Sequence, residues 1–79
     1  MKPGRRAASR PPLERMVRIH QEIQAGHYPN ATTLARQLEV SVKSIQRDLE
    51  FMRDRFNLPL AYDPRRFGYY YTEPVESFP

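Results

Sequence analysis

From Leu13 to Phe56 the apolar residues recur at three- and four-residue steps, and from Leu60 onward they alternate. The first spacing belongs to amphipathic helices and the second to half-buried strands. Pro11-Pro12 suits a helix start, where a missing N–H costs nothing, and Leu13, Met16, Val17, Ile19, His20 and Ile23 form one face of a helix ending at Gly26. After the loop His27–Asn30, a short helix capped by Asn30 or Thr32 turns Leu34, Ala35 and Leu38 inward. Glu39-Val40 makes a turn, and Ser41 caps a third helix with Val42, Ile45, Leu49, Met52 and Phe56 inside. Asn57 is placed to end it, and Pro59 prevents its continuation. Leu60–Tyr62 and Tyr69–Thr72 then read as the strands of a hairpin, with a turn opening at Asp63-Pro64 and Gly68 supplying a flexible or positive-φ position. The predicted fold is α+β: a winged helix-turn-helix of three helices and a two-stranded wing.

This pattern fills residues 11–72 and leaves two flanks. Residues 1–10, rich in Arg, Ala, Gly and Pro, read as a disordered basic arm, and residues 73–79, with two prolines and two acids, as the start of a linker. Seventy-nine residues allow one small domain and no elaborate cavity. Without Cys, and with only His20 and His27 as imidazoles, neither a metal site nor a cofactor is expected. No base–nucleophile pair stands at a recognisable spacing, so the chain reads as non-enzymatic. It has neither a membrane-length apolar run nor a secretory h-region, so the expected location is the cytoplasm.

The charge changes the picture through its placement. Lys2, Arg5, Arg6 and Arg10 carry the whole +4 excess, and residues 11–79 balance nine bases against nine acids. Within that neutral body, Ser41–Arg47 contains Lys43 and Arg47 and no acid, and Arg65-Arg66 stand at the predicted wing tip. A recognition helix needs such a start, because its first residues meet base edges and its dipole favours phosphate. With Val42, Ile45 and Leu49 turned inward, Lys43, Ser44, Gln46 and Arg47 face out. Arg47 can fork to guanine and Gln46 can pair with adenine, while Lys43 and Ser44 can serve bases or phosphates. Ser41 completes that set. Thr32 and Thr33 at the second helix's start are candidate phosphate contacts, Arg65 and Arg66 would reach backbone or a minor groove, and Arg5, Arg6 and Arg10 would add salt-sensitive attraction.

The segment Tyr28–Ser41, the run Ser44-Ile45-Gln46-Arg47-Asp48-Leu49-Glu50-Phe51-Met52-Arg53-Asp54 and the strand Gly68-Tyr69-Tyr70-Tyr71 together resemble the N-terminal, DeoR-like winged helix-turn-helix of bacterial WYL-domain transcriptional regulators. The resemblance spans about Pro11 to Pro79. It implies sequence-specific binding of double-stranded DNA, usually repression, by homodimers, and a ligand-sensing domain following the linker. Many such proteins have Gly in the helix–helix turn where this chain has Glu39, which strains the backbone if the position is left-handed.

Other readings of the same residues remain. Arg47 can pair with Asp48, Glu50 or Asp54, and Asp48 with Arg36 or a helix terminus. The rings of Phe67, Tyr69, Tyr70 and Tyr71 either stack on unpaired bases or pack the wing onto Phe51, Met52 and Phe56. A winged helix with a neutral body can also be a protein–protein interaction module.

Overall fold

The computed structural model describes residues 10–79. Three helices, α1 (Pro12–Gln24), α2 (Ala31–Leu38) and α3 (Val42–Asp54), precede two strands, β1 (Leu60–Asp63) and β2 (Gly68–Tyr71). The strands pair antiparallel with Leu60 opposite Tyr71 and Asp63 opposite Gly68. This is the α+β winged helix-turn-helix layout anticipated from the spacing.

Each helix begins and ends for a local reason. Pro12 occupies the first turn of α1, and Gly26, at φ 79, ends it as the His27 amide bonds back to the Glu22 carbonyl at 3.2 Å. Asn30, not Thr32, caps α2. Its side chain accepts from the Thr33 amide at 2.9 Å while Thr33 Oγ1 accepts from the Asn30 amide at 3.2 Å, a reciprocal capping box. α2 closes with Glu39 in the left-handed region, φ 58 and ψ 44, and the Val40 amide bonded to the Ala35 carbonyl at 3.1 Å. Ser41 Oγ then accepts from the Ser44 amide at 3.0 Å and starts α3. The helix–helix turn is therefore only three residues long.

Met16, Ile19 and Ile23 of α1, Leu34, Ala35 and Leu38 of α2, and Ile45, Leu49 and Met52 of α3 are buried together with Leu58. Ala35, small as expected, sits in this core, and Val40 packs against it from the turn. Two expected core positions differ: Leu13 is 57% exposed and Val42 39% exposed. Both lie in the first turn of their helices.

Asp48 takes one of the inward positions on α3. It is bound by Arg15 of α1 through two bonds, Nε to Oδ2 at 2.7 Å and Nη2 to Oδ1 at 2.9 Å, and not by Arg36. The fork satisfies both carboxylate oxygens in a place nearly closed to water, and Arg15 also donates to the Arg10 carbonyl at 2.6 Å. Hydrogen bonding to Asp48, against the burial penalty, raises the Arg15 pKa above its ordinary value.

Residues 73–79, read as a linker start, lie back on the body. Val75 and Phe78 pack against the core, the Gln24 side chain donates to the Val75 carbonyl, and the Phe78 ring lies 5.2 Å from His20 and 5.4 Å from Phe56. Two apolar residues in a Pro-rich stretch have no period to announce this docking.

Candidate nucleic-acid interface

The first turn of α3 contains no acid, and its cap leaves the amides of its first two residues without a carbonyl in front of them. Lys43, Gln46 and Arg47 are exposed there, and none forms an ion pair or a side-chain hydrogen bond among the described residues. Arg47 thus has none of the acidic partners proposed for it: Asp48 faces Arg15, and Asp54 is taken by Arg53 at 2.9 Å. Ser41 and Ser44 are occupied in part, since Ser41 Oγ donates to Ser44 Oγ at 3.1 Å while capping the helix. Ser44 is half-buried, so the outward face of α3 begins with Lys43, Gln46 and Arg47.

At the start of α2 the two threonines separate. Thr32 is exposed, whereas the Thr33 hydroxyl is used twice, accepting from the Asn30 amide and donating to the Asn30 carbonyl at 3.1 Å. Thr32, with the unpaired amides of Ala31 and Thr32, is the part of this end open to an anion.

The wing lies alongside α3. A cleft lined by Gln46, Glu50, Arg53, Ala61, Tyr62 and Tyr69 runs between the helix and the strands. Tyr62, which the sequence did not single out, is 46% exposed and meets Tyr69 edge-on at 5.1 Å. At the tip, Asp63 Oδ1 accepts from the amides of Arg65 and Arg66 at 2.9 and 3.4 Å. The Arg65 amide foremost, and then the Arg66 side chain and amide, hold the Asp63 pKa below its usual value against a penalty from desolvation. The two arginines differ: Arg66 pairs with Asp63 Oδ2 at 2.9 Å and lies over the Tyr28 ring at 4.8 Å, while the exposed Arg65 side chain makes neither kind of contact. Of the arm residues, Arg10 pairs with Glu14 at 3.4 Å beside α1, and Arg5 and Arg6 lie outside the described residues.

The glycine before the wing's tyrosines acts by absence of bulk. Gly68 does not have positive φ; its neighbour Phe67 does, at 56°. A Cβ on Gly68 would come within 1.8 Å of the Tyr28 carbonyl oxygen. That closeness lets the Tyr69 amide donate to the Pro29 carbonyl at 2.8 Å and ties the wing to the α1–α2 loop. The tyrosines are packed: Tyr69 and Tyr71 lie against the core, Tyr70 faces Tyr28 at 6.0 Å, and the Tyr71 hydroxyl meets His20 Nδ1 at 2.8 Å. Phe51, expected beneath the wing, is 39% exposed and contacts Phe56 edge-on.

No protein-family model, curated protein or solved structure matches the chain. Among the described residues no group of three or more His, Asp or Glu is placed to hold a metal ion, and no helix is long and apolar enough to cross a membrane.

Proposed function

We propose that this domain binds double-stranded DNA in a sequence-specific way, as all or part of a bacterial transcriptional repressor working as a homodimer in the cytoplasm. The observation that carries the reading is the start of α3. Lys43, Gln46 and Arg47 stand exposed and unengaged on an acid-free, Ser-capped helix end, with Arg65 of the wing exposed on the same domain. Such a helix end suits the major groove: Arg47 has the fork for guanine O6 and N7, and Gln46 the donor–acceptor pair for adenine. Thr32, the amides at the α2 start and Arg65 supply contacts of the kind that grip phosphate and fix register. The reading assigns no catalytic role and no cofactor.

The test is a titration against a duplex selected in vitro from a random pool, at physiological salt. Arg47→Ala should lower affinity for that duplex by about ten- to a hundredfold and relax preference at one base position. Arg65→Ala should weaken every sequence alike and reduce the salt slope by about one. If Arg47→Ala changes neither affinity nor preference, the assignment is wrong.

The exposed Leu13 and Phe51 favour a second reading, a protein–protein interaction module without DNA readout. That reading predicts no duplex binding even at low salt, together with a shift in sizing chromatography that Leu13→Ser or Phe51→Ser abolishes.

A further inference from the structure

The wing tip is held firmly, yet it leaves one large apolar side chain mostly exposed. Asp63 binds the amides of Arg65 and Arg66, Arg66 is clamped between Asp63 and the Tyr28 ring, and Gly68 rests on the Tyr28 backbone. The Asn30 side chain, while capping α2, donates to the Phe67 carbonyl at 3.2 Å. Within this fixed frame Phe67 adopts φ 56, a conformation that L side chains rarely take, and is 67% exposed. It is the one phenylalanine or tyrosine among the described residues with no ring partner. Packing therefore does not explain its bulk, and flexibility does not explain its exposure.

We infer that Phe67 is an apolar wedge that enters the minor groove of duplex DNA and partly unstacks a base step there. The inference rests on the duplex-binding reading above and adds to it a contact of a different kind. In a helix-turn-helix the first of the two helices crosses the phosphate backbone beside the major groove. The Asn30–Phe67 bond sets the wing tip at the beginning of that helix, beside the backbone that the helix would cross and next to the minor groove that adjoins it. There Arg65 meets phosphate and the Phe67 ring meets the base edges. Apolar side chains placed in this way open a base step and kink the duplex, so part of the specificity would come from how easily a step deforms. With its backbone already held, Phe67 has only its side chain left to order on insertion.

The experiment uses the in-vitro-selected duplex carrying donor and acceptor dyes at its two ends, titrated with the full chain and with two variants. Asn tolerates positive φ, so Phe67→Asn removes the ring while keeping the tip's backbone, and Phe67→Leu keeps apolar bulk. Wild type should bring the ends together by a kink of about 20–90°. Phe67→Asn should abolish that change and bind about tenfold more weakly, the scale of one aromatic–base contact, with its salt slope and thermal midpoint undiminished. Phe67→Leu should retain most of the bend. The wedge is overturned if wild type binds without bending, if Phe67→Asn binds and bends as wild type does, or if that variant alters self-association instead. Failure of the wedge leaves the Arg47→Ala effect in place. A folded wild type that holds no duplex even at low salt defeats the DNA reading and the wedge together.

Discussion

Glu39 and Phe67 both hold backbone conformations that suit glycine, at φ 58 and 56, while Gly68, beside one of them, does not. The substitutions that follow have opposite signs. Glu39→Gly relieves a left-handed side chain, worth about 1–2 kcal/mol, against the greater freedom glycine has when unfolded, about 0.5–1 kcal/mol. A rise in thermal midpoint of a few degrees is expected, read by circular dichroism. Gly68→Ala should instead destabilise by about 3 kcal/mol or more, because its methyl group would meet backbone that cannot move without breaking the Tyr69–Pro29 bond. The helix–helix turn at Glu39 was legible because the apolar spacing breaks there. The reason for Gly68 was not, since it depends on Tyr28, forty residues earlier and joined to it only by the folded chain.

Between elements, the seam of α1 with α3 is polar where the period alone would have made it greasy. Arg15 and Asp48 are both largely closed to water and satisfy each other. Asp48→Ala would leave the guanidinium without its partner, and a loss of about 2–4 kcal/mol is expected in urea unfolding, with no new base preference in the selected duplex. Sequence spacing located the apolar faces of the three helices except at Leu13 and Val42 in their first turns, because three- and four-residue steps are a property of the helix itself. It could not choose among Arg15, Arg36 and a helix end as the partner of Asp48. That choice depends on how α1 crosses α3, which no local pattern encodes. The same limit holds at the helix starts: the exposed cations could be named, but that the Thr33 hydroxyl is spent on the α2 cap and that Ser44 Oγ accepts from Ser41 emerges only from the geometry.

Across the whole molecule, His20 joins three parts that are far apart in sequence. Its ring sits in α1, its Nδ1 meets Tyr71 of the wing, and its ring meets that of Phe78 at a tilt. In the neutral ring with its proton on Nε2, Nδ1 accepts from the tyrosine hydroxyl. Burial lowers the His20 pKa from 6.5, against a smaller opposing effect of a hydrogen bond with Gln24. The unfolded chain therefore takes up a proton that the fold resists. Stability should be level above pH about 7 and decline as pH falls through 6.5, and His20→Gln should flatten that decline in urea titrations from pH 8 to 5. Burial also pushes the Tyr71 pKa up to about 12 from 10.0. The unfolded tyrosine ionises first, so stability should fall again as pH rises through 10.

Phe78, docked against Phe56, also fixes a direction. Phe56 lies just beyond α3, and the 13 residues of that helix span about 20 Å, so Phe78 sits near the end of α3 remote from Ser41. A fluorophore or tethering peptide joined after Pro79 would start from that distant end. Single-molecule attachment there would leave the α3 start facing open solution, and a second domain fused at the same point would pull on α1 and β2 before it could disturb Lys43, Gln46 or Arg47.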